Sequence, residues 1–157
     1  MPPSARCAVT SSAFKRGART YIDSNIFIYF VESAAPRYEA AQRLFEMLRE
    51  SHSTVYTSDI AVAECLCRPY RDGNSRLAGI YLELFETGGD VLRVPLDYEL
   101  VKRAAGIGGK LGIKLIDALH VASAMAAGCE IFVTNGKTIS APKEIEIVQL
   151  SAIGSNP

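Results

Sequence analysis

Three carboxylates stand far apart in the chain but in the same kind of setting. Asp23 closes the strand-like run Thr20-Tyr21-Ile22. Glu64 lies in Ser58-Asp59-Ile60-Ala61-Val62-Ala63-Glu64, and Asp117 in Lys114-Leu115-Ile116-Asp117-Ala118-Leu119-His120. Each is embedded in apolar neighbours, where an ionised carboxylate is costly unless something compensates it. If the fold gathers all three, they repel one another unless a cation holds them. Oxygen donors select a hard ion, Mg²⁺ or Mn²⁺. Such an ion with open coordination positions suits phosphoryl-transfer chemistry, in which it activates water and offsets developing charge.

Neighbouring residues have two readings each. Ser24 and Asn25, directly after Asp23, either position water or phosphate or act as turn residues. Asp23 itself is of a type that caps a following helix, and Glu64 could be an ordinary helix-surface acid. Asp59 is in the first turn of its helix, where an acid serves the helix dipole. Asp117 and His120 are three residues apart and share a helix face; His120 reads as packed beside the site rather than as a ligand. Thr134 could bond a phosphate or a metal-bound water, or serve a turn. Asn135 and Lys137 are near the site by sequence.

Elements that could bring these residues together follow from periodicity. Thr20–Ile22 reads as a first strand and 25–31 as a short buried helix or continued strand. Residues 37–49 place Ala40, Ala41, Leu44, Phe45 and Leu48 at helical spacing. Thr54–Tyr56 is strand-like, and Ser58 caps a helix over 59–68 that Pro69 is expected to stop. A helix over 75–86 ends at Gly88-Gly89, and Val91–Val94 is a strand. A helix over 98–105 breaks into glycines. An apolar helix over 115–127 ends at Gly128, and strands follow at 130–133 and 145–150. Alternating strands and helices predict a three-layer α/β/α sandwich around a mostly parallel sheet. In such sheets, sites form at the carboxyl ends of strands, which is where Asp23 and Asn135 fall.

The chain has 157 residues, 17 basic and 17 acidic, and no formal net charge. That length suits one domain, read as residues 20–150 between a flexible Ser/Ala/Pro-rich extension at 1–19 and a tail at 151–157. Neutrality excludes a strongly basic nucleic-acid-binding tail. Basic residues stand near each acid (Lys15, Arg16 and Arg19; Arg68, Arg71 and Arg76; Lys110 and Lys114), but a chain this rich in Lys and Arg puts a cation near any chosen point. The cysteines, 4 in all, form no disulfide framework or zinc spacing, so a reduced cytoplasmic protein is expected. No signal peptide is read at the N-terminus, and the longest apolar stretch, 118–133, is too short for a membrane span. Gly106-Ile107-Gly108-Gly109-Lys110-Leu111-Gly112 fits neither the dinucleotide nor the Walker pattern and follows a helix rather than a strand.

From Thr20 to Leu150 the chain resembles the PIN domain, and within it the VapC-type toxin ribonucleases. The matching pieces are Tyr21-Ile22-Asp23-Ser24-Asn25, Ala63-Glu64, Ile116-Asp117-Ala118-Leu119-His120-Val121-Ala122 and Phe132-Val133-Thr134-Asn135-Gly136. The resemblance implies a metal-dependent endoribonuclease whose acids Asp23, Glu64 and Asp117 bind Mg²⁺ or Mn²⁺. It also implies a homodimer and, for toxin members, an antitoxin that blocks the active-site groove. For the dimer, the helices after Arg37 and Ser75 supply candidate apolar surface, with Ile80, Leu84 and Phe85. One departure stands out: the family usually carries an Asp two residues after the Thr of the last piece, and here that position is Gly136. The competing reading is therefore a catalytically weak PIN-like module that binds RNA or a protein partner. Haloacid-dehalogenase-like phosphatases are excluded, because they need a second Asp where Asn25 stands.

Overall fold

The computed structural model describes residues 14–153. The element order is β1 (Arg19–Ile22), α1 (Ser24–Glu32), α2 (Arg37–Glu50), β2 (Thr54–Ser58), α3 (Asp59–Arg71), α4 (Ser75–Glu86), β3 (Val91–Val94), α5 (Tyr98–Leu111), α6 (Leu115–Ala126), β4 (Ile131–Thr134), β5 (Glu146–Gln149) and α7 (Leu150–Ile153). The five strands lie in the order β3-β2-β1-β4-β5, and every neighbouring pair is parallel. The sheet is thus fully parallel.

Strand side chains alternate between two cores, as the pleat requires. Ile22, Ile131 and Val133 point to a core built with Phe27, Leu44, Leu48, Tyr81 and Phe85, from α1, α2 and α4. Tyr21 and Phe132 point the other way, to Val121 and Ala124 of α6. Leu100 and Ala104 of α5 continue that second layer against Ala118 and Ala122. Apolar burial on both faces makes the α/β/α sandwich, and it accounts for the burial of β4 at every position and of β1 from Thr20 to Ile22.

Chain order reverses between β1 and β4. β1 connects outward to β2 and β3, while β4 and β5 build on its other side. This is the topological switch point at which open α/β sheets form their crevice. Asp23 leaves β1 there, its backbone N–H bonded to the Val133 carbonyl at 3.0 Å.

Several local expectations are corrected. Pro69 does not stop α3, which runs on to Arg71. The absent proline N–H leaves one helical bond unmade near the helix end, where Asp72 N still bonds Arg68 O at 2.9 Å and Asn74 N bonds Pro69 O at 2.8 Å. Nor does the glycine run break α5, which continues through Gly106, Gly108 and Gly109 to a left-handed cap at Gly112. A Cβ on Gly108 would sit 3.4 Å from that of Ala118, so the glycine permits close approach of α5 to α6. The segment over 25–31 is helix, not strand. The last strand ends at Gln149, and Leu150, with Ile153 in the expected tail, turns into α7 and is buried. Phe14 and Ala18, within the stretch read as a flexible extension, are also buried in the first core; residues 1–13 lie outside the described part. Phe85 is buried and Leu84 packs on the core, so of the three apolar residues expected at a dimer surface only Ile80 is exposed.

Candidate metal centre

Asp23 caps α1, accepting the Ser24 backbone N–H at Oδ1 (2.7 Å). The capping role and the site role therefore coincide in one side chain. Its other oxygen, Oδ2, accepts the Thr134 hydroxyl at 2.6 Å and the Asn25 side-chain amide at 3.3 Å. Thr134 Oγ1 in turn accepts the Gly136 backbone N–H at 2.9 Å. The Gly136 carbonyl accepts Gln149 Nε2 at 3.0 Å, tying the loop after β4 to β5. Asp23 is 5% exposed and Thr134 fully buried. A buried carboxylate held by a short hydroxyl bond and a helix N-terminus is fixed in one orientation.

Glu64 projects from the second turn of α3 and His120 from α6. His120 Nε2 lies 2.6 Å from Glu64 Oε2 and 3.5 Å from Asp23 Oδ1. A carboxylate only accepts, so Nε2 carries the proton. The opposite ring nitrogen, Nδ1, lies 2.8 Å from the Tyr21 hydroxyl, which lies 2.6 Å from Ser58 Oγ. Ser58, Tyr21, His120 and Glu64 thus form one chain of hydrogen bonds running out of the sheet to the acids. Tyr21 is fully buried and stacked on Phe132 at 4.9 Å; burial raises its pKa far above ordinary, so it remains a hydroxyl. Burial by itself would lower the His120 pKa. The Glu64 hydrogen bond and the charges of Asp23, Glu64 and Asp117 outweigh it, and the net shift is upward. Burial likewise works to raise the Glu64 pKa, but the hydrogen bond and charge of His120 lower it overall.

Ligand-type atoms of Asp23, Glu64 and His120 all lie within 4.8 Å of one another. Asp117 is not one of that group. It stands half-exposed at the start of α6, with its pKa raised by burial and then by the charge of Asp23. Asp59 is elsewhere, paired with Arg93 at 2.7 Å. Ser24 and Asn25 sit in the first turn of α1 and bond Asp23; Asn25 also holds the Asn135 backbone N–H at 3.3 Å. Sequence reasoning missed Tyr21 and Ser58, the residues that orient His120. The available signal was a tyrosine flanked on both sides by buried strand positions, since a buried Tyr hydroxyl needs a partner.

The donor set fits a divalent cation. The carboxylates of Asp23 and Glu64 stand close together, a third carboxylate, Asp117, stands at the rim, and such oxygen donors suit Mg²⁺ or Mn²⁺, while the protonated Nε2 of His120 holds Glu64 in place rather than offering a lone pair. Position 136 also fits the pattern of a missing acid. Its backbone is not left-handed, and a Cβ there would point at Thr134 Oγ1 from 3.3 Å, beside Asp23.

A family model described as PIN domain matches residues 20–144. A search of curated proteins returns no match. Among solved structures, similarity extends to VapBC2 from Rickettsia felis bound to a DNA fragment from its promoter. Identity is 17% and the TM-score 0.64, over 83% of this chain and 97% of that one. VapC20 of Mycobacterium tuberculosis, described as a sarcin-ricin loop cleaving toxin, is 17% identical with a TM-score of 0.59, over 72% of this chain and 86% of that one. FitAcB from Neisseria gonorrhoeae is 16% identical with a TM-score of 0.60, over 84% of this chain and 98% of that one. Identities this low speak for the shared fold.

Proposed function

The chain belongs to the PIN domain family, and from that premise we propose that it is a metal-dependent endoribonuclease, the toxin of a toxin–antitoxin pair. The observation that carries this reading is the convergence of Asp23, Glu64 and His120 at the switch point of a parallel sheet, with Asp117 at the rim. Mg²⁺ or Mn²⁺, when bound, supplies the Lewis acidity that activates water and offsets charge on the phosphate oxygens. Asp23 and Glu64 would hold the ion, with Asp117 completing the carboxylate set. Thr134, Asn25 and the Ser24 backbone keep Asp23 from turning away, and His120 does the same for Glu64. Asp117, nearest to solvent, accepts the proton of the attacking water.

Partners follow the same reading. The similar solved structures include VapBC2 bound to a fragment of its promoter and a toxin, VapC20, and we infer for this chain a protein antitoxin that covers the acids. We also infer a homodimer. Leu92, Leu96, Tyr98 and Val101, exposed along β3 and the start of α5, offer its surface better than Ile80. No helix among the described residues is long and apolar enough to cross a membrane, and we place the protein in the cytoplasm, where its cysteines stay reduced.

Gly136 favours a second reading, a catalytically weak PIN module that binds RNA or a protein without cutting. A cleavage assay on a mixed RNA pool separates the two. The ribonuclease reading predicts cutting in Mg²⁺ or Mn²⁺ that stops in excess chelator and in Asp23→Asn. Intact RNA under every metal condition, with the protein folded, supports the binding module.

A further inference from the structure

A cavity of about 340 Å³ opens beside the acids, between α1, the start of α2, the loop after β4 and α7. Its walls include Tyr29, Arg37, Arg43 and Asn135. The Arg37 guanidinium lies over the Tyr29 ring, 5.1 Å from its centroid, and forms no ion pair among the described residues. Asn135 connects this wall to the carboxylates. Its side-chain amide donates to the Tyr29 hydroxyl at 3.3 Å, and its backbone N–H donates to Asn25 Oδ1 at 3.3 Å. The Asn25 amide donates to Asp23 Oδ2. The cavity wall at Asn135 is therefore tied to the acid cluster through Asn25.

The lining suits a particular chemistry. A guanidinium stacked on an aromatic ring offers a flat face for a base and in-plane donors for a phosphate. The Tyr29 hydroxyl and the Asn135 amide add polar groups that read base or sugar edges. Of the charged residues that line the cavity, Arg37 and Arg43 outnumber Glu39, so its net sign is positive. In a chain of zero net charge, a positive cavity tied to an acid cluster through Asn135 and Asn25 is a local device. It attracts a polyanion that must also reach the acids.

We propose that this cavity is the subsite for the nucleotide next to the scissile phosphate of a single-stranded RNA, with Arg37 on its phosphate and Tyr29 and Asn135 on its base or sugar. The assignment rests on the ribonuclease reading for its place in catalysis, but it can be tested by binding alone. The probe is a fluorescently labelled, randomised single-stranded RNA oligomer. The protein is the full chain carrying Asp23→Asn, so that binding is read without cleavage. Anisotropy titrations at several salt concentrations compare this protein with the same protein carrying Arg37→Ala, Tyr29→Leu or Tyr29→Phe in addition. Thermal unfolding confirms equal folding; Arg37 is exposed, so its removal leaves the core intact.

Arg37→Ala should weaken binding by about tenfold and lower the slope of log affinity against log salt by about 0.7, one phosphate contact on a single strand. Tyr29→Leu should weaken binding by a similar factor with the slope unchanged, and Tyr29→Phe should retain most of it. Ultraviolet cross-linking should place the RNA adduct at Tyr29. If the folded Arg37→Ala protein binds with unaltered affinity and slope, the subsite is wrong, whether or not the parent chain cuts RNA. The same holds if these changes weaken only the capture of a protein partner. If the parent neither binds nor cuts the pool, the subsite and the ribonuclease reading fall together.

Discussion

Restoring an acid at position 136 tests the architecture of the site quantitatively. Gly136 does not adopt a left-handed conformation, so an L-residue is admitted there. The new Cβ meets only Thr134 Oγ1, at 3.3 Å, and that hydroxyl need shift by only a few tenths of an ångström. Thr134 Oγ1 is 2.6 Å from Asp23 Oδ2. A carboxylate at 136 would then lie roughly 6 Å from that of Asp23, where two unit charges interact by about 3 kcal/mol at an effective dielectric of ~20 and by under about 1 kcal/mol in bulk water. Position 136 is half-buried, and the working value falls between these limits, at about 1–2 kcal/mol. Two consequences of opposite sign follow. Without metal, Gly136→Asp adds a like charge to an acid cluster, and the thermal midpoint should drop by several degrees. With metal, the same carboxylate attracts a divalent cation, and affinity should rise by about tenfold or more. Calorimetric titration with Mn²⁺ and Mg²⁺, paired with unfolding scans in chelator and in metal, reads both. A folded variant that shows neither the drop nor the tighter binding would mean that position 136 does not face the acids. The reading of Thr134-Asn135-Gly136 as the last motif piece would then be refuted.

Further expectations concern single interactions. Tyr21→Phe removes the hydroxyl between Ser58 and His120 and should cost about 1–3 kcal/mol in urea unfolding; an unchanged midpoint would show that the chain of bonds carries no stability. Gly106→Ala and Gly109→Ala meet no atom within 4 Å, and each should stabilise the continuous α5 by roughly 0.5–1 kcal/mol, whereas destabilisation would argue for a broken helix. The shift of His120 sets a pH dependence in the metal-free protein. Its folded pKa lies above the ordinary 6.5, so its contribution to stability is complete below that value and is lost as pH rises through the folded pKa. His120→Asn should flatten the decline measured in chelator; an identical pH profile would sink this assignment.

Part of the candidate site was legible where its residues sit at element boundaries. Asp23 stands where an apolar strand gives way to a helix, and the strand over Val91–Val94 and the helix over Ser75–Glu86 match their sequence limits. Misreadings came from judging a residue by its local cost alone. Each glycine in α5 costs about 1 kcal/mol in a helix interior, but close packing of Gly108 on Ala118 repays it, and no local rule sees that contact. Pro69 shows the same limit near the end of α3. The relation of His120 to Asp117 was only half visible. A spacing of three puts both on one face of α6, but which one turns to the acids depends on Tyr21, 99 residues earlier in the chain. Long-range hydrogen bonds of that kind leave no trace in periodicity.

The central claim, that these acids direct a metal-activated water at RNA, is tested most directly by the chemistry of the cut ends. Water attack on the phosphodiester leaves no cyclic phosphate, whereas metal-free cleavage through the ribose 2′-hydroxyl leaves a 2′,3′-cyclic phosphate. Purified protein and Asp23→Asn, prepared identically, are incubated with an RNA pool in Mn²⁺, Mg²⁺ or chelator, and the product ends are read by mass spectrometry. The account predicts fragments without cyclic phosphate, formed only by the unaltered protein and only with metal. Cyclic phosphate ends, or equal cutting in chelator or by Asp23→Asn, would contradict it.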